Sequence, residues 1–482
     1  AAVALDRFAA VMDSMLTPQN SKWHRLRSTD DRLNRDAQVA RYFDEVAATL
    51  FRYRYAPRAG FATQNHERYV SLGAFGTGCL FVDRLEGGGL RYRCHPLAEL
   101  YLQENHQGIV DVAHRRFTMT ARQARLMFRD KLPEKIAKAA EDTPEREFEF
   151  VHAIYPNNAW EPYRLDSRGK KWSSCYVAVD GCKVVEEGGY STFPYASGRY
   201  VMSPGETYGR SPAMMVLPNI KVLNEQKKTL LRIGHRLVDP VLLAHDDGII
   251  DAFSVKPGAI NYGGIDAQGR KLVQPLDTPS ANPLGSMEKL MEQERAPIND
   301  AFLVTLFQIL VESPTMTATE VLERAREKGI LLGPAMSRQQ SEYLGPLIER
   351  ELDILSADGL LPPMPPVLQE AEGEYDVVYD SPLSRNMRYE EATGLMRLVE
   401  MAGTYANATQ DPRPLDWFNF DSAIPALADI QAVPASWIST PEEVAATRQK
   451  RDQAAAMKQL TDAAPGAAAM VKALNPAERR AV

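Results

Sequence analysis

Two long amphipathic segments flanking a Gly- and Pro-rich insert constrain this chain more than any other feature. The first opens at Ser211-Pro212, an N-cap followed by proline at the first helical position. Leu217, Ile220, Leu223, Leu230, Leu231, Gly234, Leu237 and Val238 then make an apolar stripe broken at Lys227, and Pro218 should kink or restart the helix near its beginning. Asp239-Pro240 ends it, so a helix from 218 to 238 would span roughly 30 Å at ~1.5 Å per residue. The next stretch contains DDG, KPG, YGG, AQG and NPLG, a composition that supports only short strands and turns. Ser286 is expected to cap the second helix, which places Met287, Leu290, Met291, Ile298, Phe302, Thr305 and Ile309 on one side and has its kink at Pro297. Two helices that run back alongside each other, with a small module at their far end, make a stalk.

The rest of the chain must supply what the stalk stands on. At 482 residues it is too long for one ordinary core, and two or three packed regions are expected. Hydrophobic residues at 44% and charged residues at 25% are those of a folded protein, which excludes disordered and collagen-like classes. No secretory signal is expected in AAVALDRFAAVMDS, and the most apolar run, 301–311, is far below the ~20 residues of a membrane span. Cys79, Cys94, Cys175 and Cys182 have no CxxC or CxxxxC spacing, so they read as buried or idle thiols in a reducing compartment. A net charge of −7 argues against a surface that grips nucleic acid all over, but suits a protein that lets DNA slide past.

Residues 3–55 read as helical, with Phe8, Met12, Met15, Val39, Tyr42, Phe43 and Val46 at helical spacing. Between about 70 and 200 the pattern changes to short strands, expected near 79–84, 90–95, 148–155 and 172–179, with a helix at 120–131 that Thr120 can cap. GAFGTG at 73–78 lacks the GK[ST] ending of a phosphate loop and reads as a turn entering a strand. Beyond the stalk, ESPTM at 312–316 breaks the helix, and Thr317 with Glu320 forms a capping box. The helix it opens runs to about 357, with bends at Gly333-Pro334 and Gly345-Pro346. LLPPMPPV at 360–367 reads as a stiff extended connector, 375–379 as a strand, and the remainder as helical.

Chemistry-bearing residues are few. His235, Asp239, His245, Asp246 and Asp247 combine imidazole and carboxylate, the ligands of a divalent metal, with His235 and Asp239 on one helix face. The plainer reading is that Asp239 accepts turn hydrogen bonds at a helix end and that Asp247-Gly248 is an ordinary turn. Lys221, Lys227, Lys228 and Arg232 are candidates for contacts to DNA phosphates. Alternatively they complement the helix dipole and pair with Glu288, Glu292 and Glu294 of the returning helix. No nucleophile elbow, HExxH or Walker A sequence occurs, and no cofactor is expected.

At PGETYGRSP and LPNIKVLN the chain resembles the head-to-tail connector, or portal, proteins of short-tailed bacteriophages. The matching residues are Gly205, Glu206, Tyr208, Gly209, Arg210, Ser211, Pro212, Leu217, Pro218, Ile220, Lys221, Leu223 and Asn224. Asp247-Gly248, Pro257-Gly258, Thr317 to Val321 with Glu320, and Leu332-Gly333-Pro334 follow in order, so the resemblance covers about 60–380. It implies an α+β subunit: an N-terminal helical segment (1–60), a strand-rich wing (61–210), a stem helix (211–238), a clip (239–284), a second stem helix (285–310), a tunnel loop (311–317), a long helix with a wing-returning strand (318–384), and a helical crown (385–482). It also implies a ring, usually of twelve subunits, at one capsid vertex of the virion, assembled in the host cytoplasm and passing double-stranded DNA without sequence specificity. The terminase large subunit, tail adaptor and tail proteins, and capsid and scaffolding proteins would be its partners.

On that plan Glu312, Ser313, Pro314, Thr315 and Met316 would form the tunnel loop. Asp246, Asp247, Lys256, Arg270 and Lys271 would face the motor and later the tail. The expected function is thus a non-catalytic conduit. The competing readings are a metal-dependent nucleic-acid-processing enzyme built on His235, Asp239, His245 and Asp247, and a scaffold with no DNA role.

Overall fold

A computed structural model describes residues 1–30, 32–238, 242–244, 265, 267–271, 273–275, 282–304, 333–370, 375–379, 382–410, 413–430, 433, 437, 439 and 443–455. The fold is mixed helix and strand, of the α+β class, and the chain divides into two units.

The first unit comprises 1–21 and 52–360. Its centre is helix α3 (Phe61–Phe75), entered and left through left-handed glycines at Gly60 and Gly76. One face of α3 buries Phe61, Tyr69 and Leu72. It packs on α1 (Ala2–Leu16), whose Phe8, Met12 and Leu16 recur at helical spacing. Gly73 therefore lies inside a helix, and the turn expected at 73–78 begins only at Gly76. Strand β2 (Thr77–Arg84) follows directly and is the middle of a three-stranded antiparallel sheet with β3 (Leu90–Cys94) and β9 (Tyr195–Arg199).

A second, five-stranded antiparallel sheet is a meander of β4 (Leu100–Glu104), β5 (Val110–Thr120), β6 (Glu147–Pro156), β7 (Trp172–Ala178) and β8 (Lys183–Tyr190). Alternate residues of β6 are buried, as the period of two demands for a strand with one covered face. Near one end of the sheet, Phe117, Phe148, Phe150 and Val185 pack under α4 (Ala121–Phe128) and α5 (Glu134–Asp142). Thr120 caps α4 in a full capping box with Gln123, as its sequence requires. Elsewhere Leu100, Leu102, Ala113 and Ile154 meet Cys79 and Tyr195, so the two sheets share a core.

Helix α9 (Gly345–Ala357) lies against the three-stranded sheet. It follows a helical stretch at 333–339 and a π-helical turn at Gln340–Leu344. Pro346 has no N–H to give the carbonyl one α-turn back, and Gly345 N–H bonds Gln340 O instead, so the helix widens there. The expected bend at Gly345-Pro346 takes this form.

The second unit comprises 22–51 and 361–482. Strand β1 (His24–Ser28) pairs antiparallel with β12 (Tyr375–Tyr379), in the register His24 to Tyr379. The helical expectation for 3–55 is corrected here. HRLRS alternates buried and half-buried residues and is a strand, because its partner Tyr375–Tyr379, far along the chain, completes the ladder. Helix α2 (Ala37–Arg54), which belongs to this unit up to Phe51, buries Val39, Phe43, Val46 and Leu50 at helical spacing. Short α10 (Pro366–Glu370) ends the expected extended connector at Pro366, two residues early. Helices α11 (Pro382–Thr409) and α12 (Phe420–Ile430) and a helical stretch at 443–455 account for most of the described residues after 381, in line with the helical expectation there.

Candidate functional site: a helical hairpin and its anchor

The helical hairpin is α7 (Leu217–Val238) and α8 (Asn282–Ala301), which lie side by side in the first unit. Ser211 caps a short α6 (Pro212–Met215), its Oγ accepting from Met214 N–H at 2.9 Å, and the chain restarts as α7 one residue before Pro218. Helix α8 begins at Asn282, so Ser286 lies inside it rather than capping it; Pro283 supplies the helix-opening proline that the sequence reading overlooked.

The segment 205–212 anchors this hairpin to the sheets. Tyr208 reaches β4, its hydroxyl accepting from Leu102 N–H at 2.9 Å and donating to Leu100 O at 3.3 Å. Gly209 N–H donates to Thr77 Oγ1 at 2.9 Å, and Arg210 N–H to Val201 O at 2.7 Å. Gly209 and Gly76 touch backbone to backbone: a Cβ on Gly209 would stand 2.3 Å from Gly76 O. Ser211 Oγ donates to Ala74 O at 2.8 Å, and Pro212 is buried. Glu206 and Arg210 pair across the surface at 2.6 Å, both well exposed. These residues fix where α7 starts.

Helix α7 itself is weakly held by its own chain. No residue from Leu217 to His235 is fully buried, and Asn219, Leu223, Gln226, Leu230 and Ile233 are half-buried on the side that meets α8. Met291 and Ile298 of α8 are buried, and Asn219 Nδ2 donates to Glu294 Oε2 at 2.9 Å. At ~100° per residue, Lys221, Lys228 and Arg232 fall on one face, opposite Leu223 and Leu230, while Lys227 falls to a flank. Leu231 on one flank and Val222 on the other remain 53 and 44% exposed, and Leu217, 45% exposed, falls beside the cations. Asn224 and His235 are exposed as well.

The expected pairing of these cations with Glu288, Glu292 and Glu294 is not what forms. Lys228 pairs with Glu225 on its own helix at 3.3 Å, Glu292 pairs with Arg295, and Glu294 takes Asn219. Among the described residues Lys221, Lys227 and Arg232 have no carboxylate partner, since Glu292 is taken by Arg295 three residues on and Glu294 by the Asn219 amide.

At the far end of the hairpin β10 (Leu242–Ala244) pairs antiparallel with β11 (Val273–Pro275), and a turn at 267–269 presents Arg270 and Lys271 to solvent. Asp239, His245, Asp246, Asp247, Lys256, the 312–316 loop, Thr317 and Glu320 lie outside the described residues. Among the described residues no three metal-ligating side chains converge.

A model of the bacteriophage head to tail connecting protein family matches residues 1–438. The chain belongs to that family of phage connectors. It is 28% identical over 415 residues to the portal protein of Salmonella phage epsilon15, covering 84% of this chain and 73% of that protein. It is also 28% identical over 474 residues to the probable portal protein of Bordetella phage BPP-1, covering 95% and 82% of the two chains. The portal function stands on these matches, which leave the metal-dependent enzyme without support.

Sequence reading missed a polar cluster of the connector. Arg199, at the end of β9, is almost buried and bonds Glu342 through Nε at 2.9 Å and Nη2 at 3.0 Å, Glu104 through Nη1, and the carbonyls of Thr207 and Gly108. Gln339 Nε2 donates to Arg199 O at 2.7 Å, and its Oε1 accepts from buried Arg68. The π-turn thereby ties the helix containing it to both sheets. Partners 143 residues apart leave no local pattern to read.

Proposed function

We propose that this connector works as one subunit of a closed ring, of twelve copies on the family plan, set at one capsid vertex. DNA would be packaged and later ejected through its centre. The observation that carries this reading is the α7–α8 hairpin: Leu231 and Val222 stand exposed on opposite flanks of a helix that its own chain covers on one face only. A helix with apolar residues on more than one side needs neighbours, and head-to-tail contacts that close on themselves supply one on each flank. A second open apolar face supports the same reading. On the second unit a groove of about 790 Å³ is lined by Leu398, Met401, Tyr405 and Trp417, and Trp417 is 90% exposed.

In the ring the face of α7 carrying Lys221, Lys228 and Arg232 would meet DNA phosphates, and Lys227 would sit at the contact between neighbours. A ring of twelve has a formal charge of 12 × −7 = −84, so the wall as a whole repels the polymer while narrow basic rings steady it. The 239–284 module, with Arg270 and Lys271 at its surface, would dock the packaging motor and afterwards the tail. The 312–316 segment would form a loop inside the tunnel, and capsid and scaffolding proteins would hold the wing. The conduit would have no catalysis of its own.

Axial negative-stain images and mass photometry of the purified protein test the ring: particles with a central hole are expected, and a monomer at every concentration refutes it. Charge reversal of Lys221, Lys228 and Arg232 together tests the channel face. Packaged DNA per head should fall severalfold while ring size stays constant, and normal packaging with normal infectivity would remove these residues from the channel.

A further inference from the structure

The connection between β6 and β7, residues 157–171, is far longer than the ~2–5 residues that close most hairpins. It is nonetheless fully braced. Asn157 N–H donates to Lys171 O at 2.8 Å and its Nδ2 to Lys170 O at 2.9 Å; Glu161 N–H donates to Arg168 O at 2.9 Å, and Gly169 N–H to Asp166 O at 3.0 Å. Arg164 grips Asp166 at 2.6 Å and Glu161 at 3.3 Å, and Lys171 lies 5.6 Å from the Trp160 ring. This bracing ends in two side chains that touch almost nothing. Tyr163 is 98% exposed and Leu165 is fully exposed.

A loop that spends its polar groups on holding its own shape, and lifts a tyrosine and a leucine clear of the surface, is preorganised for contact. Ordering is complete before binding, so it does not count against affinity. Tyrosine in particular supplies large rigid contact area, the character of an interface anchor. The charges say what kind of surface it meets. The segment holds Arg164, Arg168, Lys170 and Lys171 against Glu161 and Asp166, and both carboxylates are taken by Arg164. Lys170 turns to Ser191 Oγ at 3.0 Å, which leaves exposed Arg168 and Lys171 beside two exposed side chains, on a chain whose net charge is −7.

We propose that the 157–171 tip is a docking knob for a partner protein that offers an apolar pocket ringed by carboxylates. A DNA duplex would use the cations but gives Leu165 nothing to enter. A second copy of this chain is the other protein occupant, and the assembly mass separates it: the exposed apolar pair on the wing, Leu126 and Met127 of α4, stands among arginines of which Arg122 and Arg125 already hold Glu145 and Glu141, so it offers no free carboxylates to the tip. The proposal rests on the hairpin and does not require the ring.

The test uses the full chain with two paired substitutions, Tyr163→Ser with Leu165→Ser, and Arg168→Glu with Lys171→Glu. Purified, both variants should keep the thermal midpoint, the assembly mass in mass photometry, and the anisotropy titration with a fluorescein-labelled DNA duplex. A lowered midpoint would make the tip part of the core, a lost assembly would make its occupant a second copy, and weakened DNA binding would make it nucleic acid; each overturns the proposal. In phage heads carrying benzoylphenylalanine at position 163, irradiation should link the tip to one other protein, at a segment rich in Asp and Glu. The Arg168→Glu, Lys171→Glu background should cut the yield about tenfold, as expected of hot-spot loss. No linked protein, or a yield indifferent to the charge reversal, also overturns it.

Discussion

Glu351 and Arg54 are both at zero side-chain exposure and form a bidentate pair, with Tyr92 donating to the same carboxylate at 2.7 Å. Burial alone would push the Arg54 guanidinium down, but the Glu351 charge outweighs it and holds it above its ordinary range. Removing one partner strands the other, so Glu351→Ala should cost about 3–5 kcal/mol in urea unfolding, whereas Arg54→Met with Glu351→Leu should recover most of it. Two histidines act in the opposite sense. Burial, with Arg115 nearby, depresses His95 to about 2 and His152 to about 3; His152 stacks on Tyr176 and shares a 2.9 Å hydrogen bond with Ser174. The unfolded chain takes up these protons near pH ~6.5 and the folded chain only far below, so their contribution is complete above pH ~6.5 and is lost as pH falls. Each should subtract about 1.4 kcal/mol per pH unit between pH ~6 and ~4. Stability measured across that range should lose part of its slope in His95→Phe, and an unchanged slope would show that the ring is solvated.

Among the elements, the anchor at 205–212 separates two glycines that look alike in sequence. Gly205 has φ +84° and open space around it, so Gly205→Ala should cost about 1 kcal/mol of backbone strain. Gly209 needs its missing side chain because the Gly76 backbone fills the place, and Gly209→Ala should cost about 3 kcal/mol in the same unfolding assay. A reversed ranking would mean that the turn, not the contact, fixes the start of α7. The legibility of the fold divides the same way. Caps, prolines and amphipathic spacing are local, so the 120–131 helix, the Ser211-Pro212 start and the 375–379 strand could be read directly. The strand 24–28, the Arg199 cluster and the bond from Asn219 to Glu294 depend on partners that only the folded chain selects. Of the candidate site residues, the family motif was legible as a motif, but its role as an anchor was not, since Tyr208 and Gly209 act through β4 and Gly76. The cations of α7 were legible as cations, and only the helical register set Lys227 apart from the other three.

For the whole molecule, the exposed flanks of α7 make a prediction that no single subunit can satisfy. On the proposed ring, Val222→Glu with Leu231→Glu should leave the far-UV circular dichroism of the subunit unchanged while shifting mass photometry from ring to monomer. Retention of the ring would move the subunit contact elsewhere. The buried polar sites of the first unit also set a clock. Arg54 bonds a carboxylate 297 positions later and Arg68 an amide 271 positions later, so at ~5–20 residues per second these groups wait about 15–60 s for their partners to leave the ribosome. Until Gln339, Glu342 and Glu351 have been synthesised, the surfaces that they close remain unfinished. If the proposed ring forms, the polysome holds subunits that cannot yet join one another, and assembly would start from completed chains.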